Sequence, residues 1–599
     1  MNRGLNGRDR DYAVLHQLVT RHRLNGDEPA AALVVTADHS DVRLRPLSEA
    51  VCDLPGRRRA AYSAWRRRQG LAAKSHPEEF AEGSVVEPTR PIHYELTYNR
   101  FVNHSGGAPV DKPEGMFDRD YEWAELTRFV SHPGTEPSLG VVSGRRRQGK
   151  TFLLDAVCQA ADGFYFAATE ATEAESLHQF GTALARYLNE PVPRRFNGWD
   201  EAVETVMRLA SNDRPVPVAL DEFPYLAKAS PHLPSLIQRA LDPSGRRGGT
   251  PVRLLLCGSA LSFMGNLLVG NAPLRGRASL ELVVPTLDFR LAMDFWGMDD
   301  LRLAFLVNAV VGGTPAYRRE YTLGDVPGGL ADFGPWVVRN VLNPGRPLFR
   351  EARFLLAEEP DLRDTALYHG VLSAIAEGNN TRGGIAGYLA RKSTDLSHAL
   401  TVLEDVGMVV RDQDAFHGKR SSYRITEPLL AFYHAIMRPE WTDLERPGHA
   451  EQVWSRAQAT FRSKVLGPHF EHLARNWTRW HAAPETLGGQ RSRVLSGVLP
   501  DPESKTSHEL DVVVLGHGPD GQERVLAIGE AKSNDTLGHG HLARLERLRD
   551  LLIRRDARAD KSVKLLLLTG SDFTPDLKET AQVRSDLELI DLERLYRGS

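Results

Sequence analysis

Leu139-Gly-Val-Val-Ser143 runs into Gly144-Arg145-Arg146-Arg147-Gln148-Gly149-Lys150-Thr151 and then into Phe152-Leu-Leu-Asp-Ala-Val157. The first five residues read as a buried strand and the last six as the opening of an amphipathic helix; between them stands G-x-x-x-x-G-K-T. The glycines let successive backbone N–H groups turn inward around phosphate oxygens, and the helix N-terminus adds its positive end. Lys150 is placed to reach the β- and γ-phosphates of a nucleotide and Thr151 to ligate Mg2+. The predicted nucleotide contacts therefore run from Gly144 to Phe152. A chance match is the competing reading, and the strand before and helix after weigh against it.

Outward from this loop, between residues 116 and 321, short β-rich runs (Leu139–Ser143, Gly163–Ala167, Val216–Leu220, Val252–Cys257) alternate with longer amphipathic stretches. That is the pattern of a parallel α/β sheet. Phosphate chemistry on such a sheet also needs a carboxylate at the end of a neighbouring buried strand. Pro217-Val-Ala-Leu-Asp221-Glu222-Phe223 supplies two: Asp221 to hold the metal, through water, and Glu222 as general base toward the attacking water. Ser259, after the apolar run ending at Cys257, reads either as a reporter on the γ-phosphate or as a turn residue. Arg275 and Arg277 read either as arginines that stabilise charge at a neighbouring subunit's nucleotide, in a homo-oligomer, or as a solvated pair.

Several marks in order resemble the archaeal-type P-loop ATPases related to the STAND and AAA-like groups. They are Phe117-Asp-Arg-Asp-Tyr-Glu-Trp-Ala-Glu-Leu126, the Gly144 loop, Leu220-Asp-Glu-Phe223, Cys257-Gly-Ser-Ala260, Gly276-Arg277 and Gly312-Gly-Thr-Pro-Ala-Tyr317. The resemblance implies a P-loop NTPase fold at 116–321, ATP rather than GTP, a winged helix after the ATPase, and a nuclease-like tail.

After a helical extension at 322–364, residues 365–440 read as winged-helix order. Leu367–Glu377, Ile385–Arg391 and Leu396–Val406 have helical spacing, and Met408–Asp412 and Ser422–Thr426 flank a turn containing Gly418. Leu396, Ala399, Leu400, Leu403 and Val406 form the buried stripe of the third helix, leaving Asp395, Ser397, His398, Thr401 and Glu404 outward. A helix that contacts phosphates carries Lys or Arg, so this module is expected to pack on its own ATPase. Lys419 and Arg420 in the wing keep DNA contact open.

In the tail, 450–599, His508-Glu-Leu-Asp511-Val-Val-Val-Leu515 and Arg524-Val-Leu-Ala-Ile-Gly-Glu530-Ala-Lys532 flank Pro519-Asp520-Gly521. A two-residue turn at Asp520-Gly521 sets Asp511 opposite Glu530, with Lys532 two residues farther along the same face. Apolar residues on both faces imply buried strands, where carboxylates need a metal or the lysine beside them. Asp511, Glu530 and Lys532 resemble the D…E-x-K signature of the PD-(D/E)xK nuclease core, an α/β restriction-endonuclease-like fold, and Glu471 matches its first-helix acid. The resemblance implies Mg2+ on Asp511 and Glu530, with Lys532 positioning or activating water. A charged hairpin end, or an inactive nuclease fold kept for binding, is the alternative. Zinc ligation by His517, His539 and His541 is the weaker reading.

With 599 residues, 41% hydrophobic and 26% charged, disordered and fibrous classes are excluded. A formal net charge of -3 excludes a polycation held on nucleic acid by bulk charge, so any DNA contact is local. Cys52, Cys158 and Cys257 lie far apart and form neither a disulfide framework nor a zinc knuckle. The first residues lack an apolar signal core and every hydrophobic run is broken early, so a soluble cytoplasmic protein with no membrane partner is expected. The first seventy residues carry 13 arginines against 8 acids, clustered at Arg57–Arg59 and Arg66–Arg68. This block, 1–104, is joined by a Gly/Pro-rich linker at 105–115. Within the block, Ala31-Ala-Leu-Val-Val-Thr-Ala37, Val42-Arg-Leu-Arg-Pro-Leu-Ser-Glu49, Arg57–Leu71 and His76-Pro-Glu-Glu-Phe80 resemble, over about sixty residues, the tail of AbiEii-type nucleotidyltransferase toxins without their upstream catalytic residues, so no transferase activity is expected. Trp65 reads as an inward-facing helix residue or a nucleic-acid stacker. Two functions follow: a Mg2+-dependent ATPase that switches an attached metal-dependent DNA endonuclease-like domain in defence or mobile-element biology, or an ATP-dependent regulator that binds DNA or protein through an inactive nuclease fold.

Overall fold

The computed structural model describes residues 33–38, 41–46, 111–210, 214–242, 251–357, 364–518 and 520–599. In the N-terminal unit the described backbone is an antiparallel pair, β1 (Leu33–Asp38) and β2 (Asp41–Pro46), with Asp38 opposite Asp41. The Arg-rich clusters, Trp65 and the first part of the linker lie outside the described residues.

Five strands form one all-parallel sheet: β3 (Ser138–Ser143), β4 (Phe164–Ala167), β5 (Val216–Asp221), β6 (Val252–Gly258) and β7 (Ala278–Val283), in the order β4-β5-β6-β3-β7. The strand carrying Asp221 is therefore not a direct neighbour of the phosphate-loop strand, as the sequence suggested; β6 lies between them. Every residue of β6 is buried, Arg253 included, as fits the central strand, where both faces are covered. β7 was not anticipated. It is an edge strand whose Ser279, Glu281 and Val283 face out, so its apolar content is too low to read as a buried strand.

Alternation along the strands feeds two cores. Val142, Ala219, Leu255 and Cys257 pack under α1 (Asp120–Val130) and α2 (Lys150–Ala160). Val141, Val218, Leu254 and Leu256 pack on the other side under α3 (Glu173–Tyr187) and α4 (Phe223–Ala229).

The chain then turns helical through α5 (Phe289–Trp296), α6 (Leu301–Val311) and α7 (Pro347–Ala357). Next come three helices, α8 (Thr365–Ala376), α9 (Arg382–Tyr388) and α10 (Ser397–Asp405), and a hairpin of β8 (Val409–Gln413) and β9 (Ser421–Ile425). The expected inward stripe of α10 is buried at Leu396, Ala399, Leu400, Leu403 and Val406. The expected outward residues are exposed except Glu404, which is half-buried. The hairpin tip splices onto the tail. Ser496 bulges out of the tail's first strand, its carbonyl accepts from Ala415 N at 2.9 Å, and Asp414 Oδ2 accepts from Val498 N at 3.1 Å. The module thus binds the neighbours on both sides: at its other end, Pro428 closes on Gly312.

The tail has α11 (Gly467–Trp480), then β10 (Arg491–Asp501), β11 (Thr506–His517), β12 (Glu523–Lys532), α12 (His539–Arg555), β13 (Lys564–Thr569), β14 (Leu587–Ile590) and α13 (Leu592–Arg597). The sheet runs β10-β11-β12-β13-β14, antiparallel through β12 and parallel after it. Val512 and Val514 face α11, and Val513 and Leu515 face α12. The two-residue turn does not form: pairing ends at His517 opposite Glu523, so residues 518–522 make the connection. A bulge between Val514 and Leu515 offsets that slip, restoring Val512 opposite Gly529. One step farther along the same register, Asp511 falls opposite Glu530, as expected.

One apolar core runs from Leu287 through α8, α11 and the tail sheet to Tyr596. α13 is held between α5 and α11. Arg290 Nε and Nη2 donate to the Leu595 carbonyl at 3.0 and 2.8 Å, and the Phe289 and Tyr596 rings meet edge to face at 5.1 Å. Among the described residues no helix is long and apolar enough to cross a membrane.

Candidate functional site

The loop after β3 has the shape its glycines permit. Gly144 sits at φ +151°, and a Cβ there would lie 2.5 Å from the Val284 carbonyl oxygen, so no other residue fits without displacing the backbone. Arg147 is forced to φ 68°, a conformation L-residues rarely adopt. It is held there by downstream groups. Arg147 Nη1 reaches Glu351 Oε1 at 2.5 Å, its guanidinium lies 5.1 Å from the Tyr321 ring centroid, and the Tyr321 hydroxyl donates to Glu351 Oε2 at 3.0 Å. The Tyr317 hydroxyl closes the set at 3.3 Å from Glu351 Oε1. Arg145 Nη1 pairs with Glu427 Oε2 at 3.0 Å, and Arg146 Nη2 donates to the Tyr225 hydroxyl at 3.3 Å. From upstream, Arg119 donates to the carbonyls of Gln148 and Pro285, at 3.4 and 2.8 Å.

At the start of α2, Lys150 Nζ donates to the Arg145 carbonyl at 2.8 Å, folded back over its own loop. Burial pulls its ammonium below the ordinary amine range, against the nearby Cys257, Glu222 and Asp221. Thr151 Oγ1 donates to Asp221 Oδ2 at 2.7 Å, and the Tyr165 hydroxyl donates to the same oxygen at 2.8 Å. Asp221 Oδ1 accepts from the Glu222 backbone N–H at 2.9 Å. Glu222 itself sits at φ 50°, a strained conformation of the kind that clusters at functional sites. Its two carboxylate oxygens lie 3.2 and 3.1 Å from Ser259 Oγ. The fold therefore brings together the Gly144 loop, Lys150, Thr151, Asp221, Glu222 and Ser259. Gly149 and Thr151 are exposed, and Phe152 is 44% exposed at the rim. Arg275 and Arg277 are engaged elsewhere, with the Gly270 carbonyl at 2.9 Å and Asp242 at 3.6 Å.

In the tail, Asp511 and Glu530 are both buried. Lys532 Nζ lies 3.5 Å from Asp511 Oδ2 and 3.5 Å from Glu530 Oε1. Asp511 Oδ2 accepts from Ala531 N at 2.8 Å, and its backbone carbonyl accepts from Arg475 at 3.0 Å. Burial pulls the Lys532 ammonium down, but Asp511, Glu530 and Glu471 outweigh it and raise its proton affinity. A lysine so held stays charged, so it suits positioning water better than taking its proton. Burial, then the charge of Asp511, pushes the Glu471 carboxyl well above the ordinary carboxylate range. Among the described residues no three His, Cys, Asp or Glu groups converge as a metal cage. Two carboxylates do fit Mg2+, which takes one or two and keeps several waters. His539 pairs with Asp576 at 3.4 Å and His541 bonds Gly538 N at 3.3 Å, so both are spent on the start of α12.

A cavity of about 760 Å³ joins the two regions, lined on one side by Gly144, Arg145 and Gln148 and on the other by Glu471, Arg475 and Glu509. Sequence reading missed Glu351, Glu427, Tyr165 and Arg544. Glu351 carried a signal: it lies beside Leu348, Ala352 and Leu355 on the buried stripe of α7, where a carboxylate needs a partner.

No family model matches the chain. It is 26% identical over 312 residues to the uncharacterized protein MJECL04 of Methanocaldococcus jannaschii, covering 51% of this chain and 65% of that protein. The chain thus spans slightly under two thirds of that relative's length. Among solved structures it is similar to the Walker-type ATPase PABY2304 of Pyrococcus abyssi, with TM-score 0.39, 19% identity, and coverage of 55% of this chain and 98% of that one. It is also similar to the Aeropyrum pernix ORC2 protein in ADPNP-ADP complexes, with TM-score 0.34, 18% identity, and coverage of 59% of this chain and 98% of that one.

Proposed function

We propose that this protein is a Mg2+-dependent ATPase of the cytoplasm that switches an attached endonuclease-like domain acting on DNA. The observation that carries the ATPase reading is the bonded run Thr151–Asp221–Glu222–Ser259 beside Lys150 and the Gly144 loop. Lys150 would leave the Arg145 carbonyl for the β- and γ-phosphates, and Thr151 and Asp221 would hold Mg2+. Bound there, the ion supplies charge neutralisation and polarises phosphate oxygens. Glu222, steadied by Ser259, accepts the proton of the attacking water. Arg275 or Arg277 would serve a neighbouring subunit of a homo-oligomer.

In this reading the ATPase spans 116–321, a winged helix 365–440 and a PD-(D/E)xK-like tail 450–599. In the tail Asp511 and Glu530 would hold Mg2+, Lys532 would orient water on the phosphodiester, and Glu471 would complete the acidic set. The second reading, a regulator with an inactive tail, is favoured by one observation: Lys532 and Arg544 already neutralise both carboxylates.

The test is a paired assay of ATP hydrolysis and of cleavage of single- and double-stranded DNA, with and without Mg2+, on wild type, Lys150→Ala and Asp511→Ala. Cleavage lost in both variants, with hydrolysis lost in Lys150→Ala alone, supports the switch. Hydrolysis without cleavage of either substrate supports the regulator. No hydrolysis by wild type removes both.

A further inference from the structure

Arg544 enters the tail site from α12, the side opposite Glu471. Its Nη1 lies 2.6 Å from Glu530 Oε2, and Nη2 lies 3.5 Å from the Glu509 carbonyl. Glu530 thus takes two cations, Lys532 on Oε1 and Arg544 on Oε2. The burial of these three groups is unequal: the Glu530 side chain is 6% exposed, whereas those of Lys532 and Arg544 are each 35% exposed. The carboxylate is fixed in the wall of the site, and the guanidinium stands in its mouth with room to turn.

From this geometry we propose that Arg544 is the phosphate-binding residue of the tail site, parked on Glu530 when no metal is bound and released to the scissile phosphate when Glu530 turns its lone pairs to a divalent cation. The inference rests on the nuclease reading above. A dication on Glu530 weakens the charge-assisted bond to Arg544, because it draws on the carboxylate's charge and repels the guanidinium. A planar guanidinium displaced into the mouth is suited to grip a phosphodiester through two parallel N–H donors, which the point charge of Lys532 is not. One residue thereby ties metal loading to substrate capture.

The experiment uses the full chain without nucleotide. Mn2+ binding is measured calorimetrically on wild type, Arg544→Met and Arg544→Lys, with Asp511→Asn as the blank. Binding of a 5′-labelled oligonucleotide is followed across a salt series with Mn2+ present. Arg544→Met should bind Mn2+ about tenfold more tightly, because a charge-assisted competitor for Glu530 is gone. Its oligonucleotide affinity should fall, with the salt slope reduced by about one phosphate contact. Arg544→Lys should recover the salt slope but only part of the affinity. Mn2+ affinity that is unchanged or weaker in Arg544→Met overturns the exchange and leaves Arg544 a structural partner of Glu530. Wild type that binds no Mn2+ above the Asp511→Asn blank defeats the nuclease reading itself.

Discussion

Replacing Glu351 by Gln keeps the shape of the side chain and removes the charge that pins Arg147. The Glu351 side chain is 1% exposed and that of Arg147 19%, so the pair is nearly desolvated. Removing one partner of a buried pair costs about 3–5 kcal/mol, most of it the charge left behind. Gln can still accept from Arg147, and the Tyr321 ring still attracts the guanidinium, which places the expected loss near the lower bound, at about 3 kcal/mol. For a compact unit spanning Thr97–Ser599 that is a fall in melting temperature of roughly 3–5 °C. Thermal and urea denaturation of Glu351→Gln, Arg147→Met and the double variant form the assay. The double variant should be less destabilised than the two singles added together, by about 2 kcal/mol or more, since no charge is stranded when both are gone. ADP affinity should fall about tenfold in Glu351→Gln as the loop loses its preset shape. A melting shift under about 2 °C, with coupling below about 0.5 kcal/mol, would refute the idea that α7 holds the phosphate loop in its strained conformation.

Gly144→Ala forces a Cβ to 2.5 Å from the Val284 carbonyl, so titration with a fluorescent ADP analogue should show binding abolished; retained affinity would mean the loop reshapes freely. Asp414→Ala strands the N–H groups of Phe416, His417 and Val498 and should cost about 3 kcal/mol, seen as faster amide exchange at Val498 and along β8. His434 has Nδ1 2.9 Å from Ser373 Oγ and Nε2 buried without a partner; burial, then His369 and Arg438, hold its pKa well below the ordinary range. The fold needs this imidazole neutral, so its stabilising contribution is full above about pH 6.5 and is lost as pH falls, by about 1.4 kcal/mol at pH 5.5. His434→Leu should therefore lose less stability than wild type between pH 7.5 and 5.5; equal losses would place the acid sensitivity elsewhere.

The parallel sheet was legible because each of its inner strands carries a short, mostly apolar run next to a turn of fixed chemistry. β7 was not, because an edge strand with one wet face carries half that signal. The phosphate loop, Asp221 and Glu222 announce themselves through local spacing. Their supports do not: Arg145 and Glu427 are 282 residues apart and Arg147 and Glu351 are 204 apart, distances over which sequence order says nothing about proximity. In the tail the facing of Asp511 and Glu530 came out right for a partly wrong reason. The short turn assumed at Asp520-Gly521 is absent, and a bulge near Leu515 supplies the compensating residue. Bulges arise from packing on both faces at once, which alternation along one strand does not encode. Arg544 was invisible because an arginine on an amphipathic helix looks like any solvated residue.

The bond from Arg290 to the Leu595 carbonyl closes a span of 305 residues. At synthesis rates of about 5–20 residues per second, α5 waits roughly 15–60 s after emerging before the helix that covers it is made. The parallel-sheet unit, complete by Val283, has no such delay and can fold while the rest is still being translated. During that wait Phe289, Phe295 and Trp296, all buried in the finished protein, lie open to holding chaperones and to neighbouring nascent chains. The order of translation therefore makes the region after the sheet the vulnerable stage of biogenesis, and slow codons or cold growth should lower yield there before they touch the parallel-sheet unit.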